Sequence, residues 1–198
     1  MNIEQTPFFR FQPYAYTNGI FEVNHEKKHC SVCKNISDYM YYGPFYSIED
    51  LNGICPACIH NGQASKEFNG VFQGGVEYRG SSLSVSYDDT TNKFLYFHGY
   101  DEISSLEEPA IEELLFRTPG YVSWQEPYWL TENNLPLAFV KYLTIEEIKD
   151  DSLLFREALD EISNNYGLNT DSISDDVGLY LFESLSREGK YRMHLDNT

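Results

Sequence analysis

The chain has 198 residues, 41% of them apolar and 16% aromatic, with 16 Tyr and 13 Phe. That much ring and aliphatic surface builds a packed core and excludes a disordered chain, which is poor in aromatics. Charge is lopsided, with 14 Lys and Arg against 31 Asp and Glu for a formal −17; the first hundred residues carry 7 against 10 (−3), the rest 7 against 21 (−14). So acidic a surface repels phosphate backbones, which argues against nucleic acid and in favour of basic partners. No apolar run approaches the roughly 18 residues of a membrane span. The first residues, MNIEQTPFFRFQPYAY, show neither a basic region nor an unbroken apolar one, so no export signal is read and a cytoplasmic location is expected.

In chain order, residues 1–28 read as an extended aromatic lead-in, broken by Pro13 and an Asn18-Gly19 turn. Residues 39–46, YMYYGPFY, read as strand, and 62–68, GQASKEF, as a short helix. Residues 82–87 and 94–98 alternate or run apolar like strands, with Asp89 to Asn92 as a hairpin loop. A helix over 107–116 has Ser105 as expected N-cap and Ile111, Leu114 and Leu115 on its apolar face; it stops at Arg117-Thr-Pro-Gly120. The stretch 121–130 holds both tryptophans and is too aromatic for a solvated loop, and 135–143 reads as a buried strand. Thr144-Ile-Glu-Glu147 has capping-box spacing and starts a helix. A second helix over about 151–165 places Leu154, Ala158 and Ile162 on one face. A third, about 174–187, buries Val177, Tyr180, Leu181 and Leu185.

All four cysteines fall into two Cys-x-x-Cys pairs, Cys30/Cys33 and Cys55/Cys58, separated by 21 residues. Two residues between ligands let both thiolates face one ion from a tight turn, and two such knuckles supply a closed tetrahedral set of four thiolates for Zn²⁺. Disulfides, an open catalytic zinc and a redox pair at Cys55-Pro-Ala-Cys58 are the competing readings. His25, His29 and His60 stand near enough in sequence to replace a ligand. No GxSxG, Walker A, GxGxxG or HExxH pattern is present. Glu107/Glu108 and Glu112/Glu113 fit a solvated helix face, and Asp175/Asp176 fit a first helical turn. His98, Arg117 and Trp124 crowd polar groups among aromatics, either as a site or as a rigid Pro-Gly turn over a tryptophan core.

The order of motifs is distinctive: a Phe-rich start, Cys-x-x-Cys, Tyr41-x-Gly-Pro-x-Tyr46, Ile54-Cys-Pro-x-Cys-Ile59, Gly62-x-Ala64-x-x-x-Phe68, Arg117-Thr-Pro-Gly-Tyr121 and Trp124-Gln-Glu126-x-x-Trp129. It resembles the CbrC family of bacterial proteins over residues 7–75 and 105–143. The resemblance implies a bacterial cytoplasmic, zinc-binding protein tied to tolerance of a nuclease colicin. Two departures stand out. Thr131 to Leu137 lacks the His and Cys residues of the family pattern, and 76–104 and the tail past 144 read as additions.

Together these readings predict an α+β fold: a zinc-ribbon-like four-cysteine module over 1–75, joined to a mixed sheet with acidic C-terminal helices over 76–198. The expected function is toxin immunity. Cys30, Cys33, Cys55 and Cys58 would hold Zn²⁺, and a cognate basic toxin would bind Glu146, Glu147, Asp150, Asp151, Asp175 and Asp176. No catalysis is expected; a zinc-containing enzyme acting near Arg117 and Trp124, or a zinc-stabilised adaptor, are the alternatives.

Overall fold

The structure is a computed structural model that describes residues 6–125, 127–151, 153–167 and 177–197. The aromatic lead-in folds through turns at residues 10–20 into β1 (Phe21–Val23), which pairs antiparallel with β2 (Tyr39–Tyr41). Beyond β2, Ile54 forms a further bridge to Tyr41, and the chain enters two short helices, α1 (Pro56–His60) and α2 (Gln63–Phe68).

A five-stranded mixed sheet follows. Its strands are β3 (Gly75–Tyr78), β4 (Ser81–Asp88), β5 (Lys93–His98), β6 (Asp101–Ile103) and β7 (Tyr128–Trp129), in the order β6-β5-β4-β3-β7. Neighbours are antiparallel except β3 and β7. The β3–β4 link is a two-residue turn with both Arg79 (φ 48°) and Gly80 (φ 79°) left-handed, the geometry that matches the twist of paired strands. Val76, Tyr78 and Leu83 are buried, so the segment 76–104, read from sequence as an addition, contributes side chains to the core.

Helix α3 (Pro109–Arg117) packs Ile111, Leu114 and Leu115 inward. It starts later than sequence suggests: Glu108, not Ser105, is the N-cap, because Pro109 has no N–H to lose and its fixed φ suits the first helical position. The Thr118-Pro-Gly120 stop then ties this half to the N-terminal one. The Tyr41 hydroxyl donates to the Pro44 carbonyl at 2.8 Å and accepts from the Gly120 amide at 3.0 Å. A Cβ on Gly120 would collide with the Phe72 carbonyl oxygen, so a side chain has no room here.

The hairpin β8 (Thr131–Glu132) and β9 (Leu135–Pro136) turns through left-handed Asn133 and Asn134 and leads into β10 (Ala138–Leu143). After α4 (Ile145–Asp150) and α5 (Arg156–Tyr166), β11 (Val177–Glu183) and β12 (Tyr191–Asn197) complete a three-stranded antiparallel sheet, β10-β11-β12. The third helix expected over 174–187 is therefore strand from 177 to 183, and residues 174–176 lie outside the described residues. The physical reason is that β11 is central and covered on both sides. Tyr180 and Phe182 face the main aromatic core, and Leu179 and Leu181 face a second cluster with α4 and α5. A strand buried on both faces loses the period-two signal and reads as a continuous apolar run. Leu185, expected inside, is exposed, and so are Leu153 and Leu154 ahead of α5, whereas Ala158 and Ile162 are buried as expected.

Candidate metal centre

The first cysteine pair sits in the tight turn between β1 and β2, closed by an antiparallel bridge between His29 and Ile36 and by left-handed Lys34 (φ 62°). The second pair is built differently from the expected knuckle. Cys55 is the N-cap of α1, Pro56 opens that helix, and Cys58 lies one turn on. The Ser31 amide donates to the Gly53 carbonyl at 2.9 Å, stitching the two segments together next to the sulfurs.

All four sulfurs lie within 4.8 Å of one another, and among the described residues this is the one group of three or more His, Cys, Asp or Glu side chains so placed. None is in a disulfide. Cys33 Sγ and Cys55 Sγ are 3.8 Å apart. A tetrahedral ion with metal–sulfur bonds of about 2.3 Å has edges of about 3.8 Å, so the spacing fits an ion at the centre. Cys30, Cys55 and Cys58 are buried, with Cys33 at the rim. Two backbone amides, Val32 at 3.4 Å and Cys55 at 3.2 Å, donate to Cys30 Sγ, an arrangement that favours a thiolate. Donors from Cys55 and Cys58 hold the Cys30 thiol far below its usual value. The negative charge this places at Cys30 drives Cys55 up to about 12 and Cys58 upward as well. A divalent cation at the centre would hold all four as thiolates.

None of His25, His29 and His60 joins the four sulfurs in that group. His29 Nδ1 is 2.7 Å from the Lys34 carbonyl, and the His60 ring stands edge-on to Phe9 at 5.7 Å.

Of the six acidic residues expected to meet a partner, Glu146, Asp150 and Asp151 lie on and after α4, and all three are exposed. Glu147 has a structural task. It completes the capping box with Thr144 and pairs with Lys141 at 2.5 Å, and that bond, first, then the Thr144 amide, holds its carboxyl below the ordinary range. Asp175 and Asp176 lie outside the described residues.

Arg117, Trp124 and His98 are not gathered into one site. His98 Nε2 donates to the Tyr78 carbonyl at 2.9 Å inside the five-stranded sheet. Arg117 is exposed at the end of α3, its side chain alongside Gly62. Trp124 is exposed beside a cavity that neither of the others lines. Of the stretch 121–130, Tyr121, Trp129 and Leu130 are buried as expected, whereas Val122 and Trp124 are exposed. Tyr142, Tyr180 and Asp196 are distant in the chain, and no local pattern signals that they meet around it.

Fold and cluster define an α+β protein with a four-cysteine group suited to a metal ion. The profile described as "Uncharacterised protein family (UPF0167)" matches residues 6–196, and the chain belongs to that family. The match runs through 76–104 and past 144, the segments read from sequence as additions. Among curated relatives, a UPF0167 protein of Mycobacterium bovis is 28% identical over 164 residues, covering 82% of this chain and 72% of the relative. A UPF0167 protein of Mycobacterium tuberculosis matches with the same figures. One of Pseudomonas aeruginosa is 29% identical over 126 residues, 63% of this chain and 56% of the relative. No solved structure matches the chain.

Proposed function

We propose that the four cysteines hold one structural Zn²⁺ and that the protein works by binding, as an immunity or tolerance protein that neutralises a basic, nuclease-like toxin in the cytoplasm. The convergence of four sulfurs supports the metal half of this reading. A shell of four thiolates leaves no position for water or substrate, so the ion would fasten the fold and not act on a substrate. The resemblance to the CbrC family supports the link to toxin tolerance. The observation that carries the binding half is charge: −14 of the formal −17 lies past residue 100. A nuclease surface selected to meet phosphates is basic, and carboxylates on and after α4 such as Glu146, Asp150 and Asp151 would take the place of those phosphates, giving fast, salt-sensitive association.

The test is a binding measurement with a basic nuclease toxin domain encoded beside this chain, paired with growth rescue on co-expression. Binding that weakens steeply with salt, and that falls at least tenfold in the triple variant E146K/D150K/D151K, is the expected result. No complex and no rescue would remove the immunity reading.

A further inference from the structure

Trp124 is 73% exposed, whereas the other tryptophan, Trp129, is fully buried. The exposed ring is nonetheless built in. It rests on β11 at Gly178, where an added Cβ would come within 3.1 Å of the indole Cδ1 and 2.7 Å of the Tyr180 hydroxyl. The Trp124 amide donates to that hydroxyl at 3.2 Å. Tyr142, from β10, stands edge-on to Tyr180 with centroids 5.6 Å apart, and its hydroxyl accepts from the Val122 amide at 3.1 Å. The three rings line an open cavity of about 560 Å³ whose other walls are largely aliphatic. That volume lies within the roughly 300–1,000 Å³ of small-molecule sites. At its margin the Ser123 hydroxyl is buried with no hydrogen-bond partner among the described residues.

Behind the rings lies Asp196, 4% exposed, whose Oδ2 accepts the Gln125 amide at 2.8 Å. Burial first, with this carboxylate adding to it, pushes Tyr180 up to about 12, so the hydroxyl stays neutral. The cations of the same sheet are committed elsewhere: Lys141 to Glu147, and Arg192 to Glu77 and Glu161. His194, on the same face of β12, is held towards its neutral form by burial. Asp196 has no ion-pair partner among the described residues. Asp196 does not itself line the cavity but lies behind Tyr180, whose hydroxyl it contacts. A buried carboxylate without a counter-cation, one ring away from an aromatic and aliphatic cavity, is the complement of a positively charged group that carries apolar substituents. An anion would meet Asp196 unfavourably, and a neutral apolar ligand would leave it unused.

We propose that this cavity binds a small alkylated ammonium cation, seated among Trp124, Tyr142 and Tyr180 with Asp196 as buried counter-charge and the Ser123 hydroxyl as a polar contact. This site is independent of the toxin proposal and of the metal.

The full chain is titrated with choline and, separately, with its neutral isostere 3,3-dimethylbutan-1-ol, by calorimetry and tryptophan fluorescence. Since Trp129 is sealed in the core, a fluorescence change reports on Trp124. Saturable choline binding is expected, about tenfold tighter than the isostere. Trp124→Ala should abolish it with melting temperature unchanged, because that ring is mostly exposed. Asp196→Asn should weaken choline while leaving the isostere as it was, a pattern that general destabilisation does not produce. Equal affinity for the two probes, no saturable choline binding, or unaltered choline binding by Trp124→Ala would each overturn the assignment. A trimethyllysine peptide that binds while free choline does not would move the cation to a protein partner and overturn the small-molecule assignment.

Discussion

The two hydrophobic clusters of this molecule are assembled by different means. The larger gathers rings from Phe9 to Phe182 around the cysteines, and the elements supplying its N-terminal part are very short: three residues each in β1 and β2, five in α1. The smaller lies between one face of the β10-β11-β12 sheet and the helices α4 and α5, with strands of seven residues and a helix of eleven. Long elements fix many dihedrals with regular hydrogen bonds and bury a continuous face. Elements of three residues cannot, so the loops between them need a cross-link. A tetrahedral ion at the four sulfurs would join the β1–β2 turn to the start of α1 and supply it.

The contrast between the clusters should break most visibly if the four-sulfur centre is taken apart. Replacing Cys30 or Cys55 with Ser, or chelating the ion, should cost several kcal/mol and abolish protection of the amides between residues 21 and 72 in hydrogen exchange. Amides of α5, β11 and β12 should stay protected longer. Equal loss in both regions would show that they do not differ in this way. Next in size, Trp129→Ala removes a fully buried indole whose N–H donates to the Leu137 carbonyl at 2.9 Å, and should destabilise by about 3–5 kcal/mol in denaturant unfolding. Leu181→Ala, in the smaller cluster, should cost about 2–4 kcal/mol and leave metal content untouched.

Smaller still is the cap of α4. Thr144→Ala removes the acceptor for the Glu147 amide and should cost about 1 kcal/mol. Because Glu147 is held below its ordinary 4.5, chiefly by Lys141, its contribution is present above that pH and is lost as pH falls through the lowered folded value. Glu147→Gln and the unaltered chain should therefore converge in stability in acid and separate near neutrality. Asp150→Lys, on an exposed position, should change stability by no more than about 0.5 kcal/mol.

What sequence revealed divides along the same line. The cysteine spacing announced the cluster, since four thiols in two pairs state a geometry directly. The capping box announced α4, and the Asp89 to Asn92 loop announced the β4–β5 hairpin. In each case the signal was local. β11 was hidden because Leu179 and Leu181 on one side and Tyr180 and Phe182 on the other are all buried, which leaves no polar face to set a period. β12 was missed for the opposite reason. Met193 and Leu195 enter the smaller cluster, but the alternate positions Arg192, His194 and Asp196 are polar: Arg192 pairs with Glu77 and Glu161, and Asp196 accepts the Gln125 amide. A partnered polar face looks solvated in sequence. The cavity beside Trp124 was invisible because its walls come from β10, β11 and the loop before β7, which only the folded chain brings together.

The central claim is that the four sulfurs, closed around an ion, fasten the N-terminal half. Elemental analysis with native mass spectrometry of the purified full chain tests it most directly, followed by thermal unfolding before and after chelation. One zinc per chain, with a large drop in melting temperature when it is stripped, is the predicted result. A chain that carries no metal and melts at the same temperature with Cys30, Cys33, Cys55 and Cys58 reduced would contradict it.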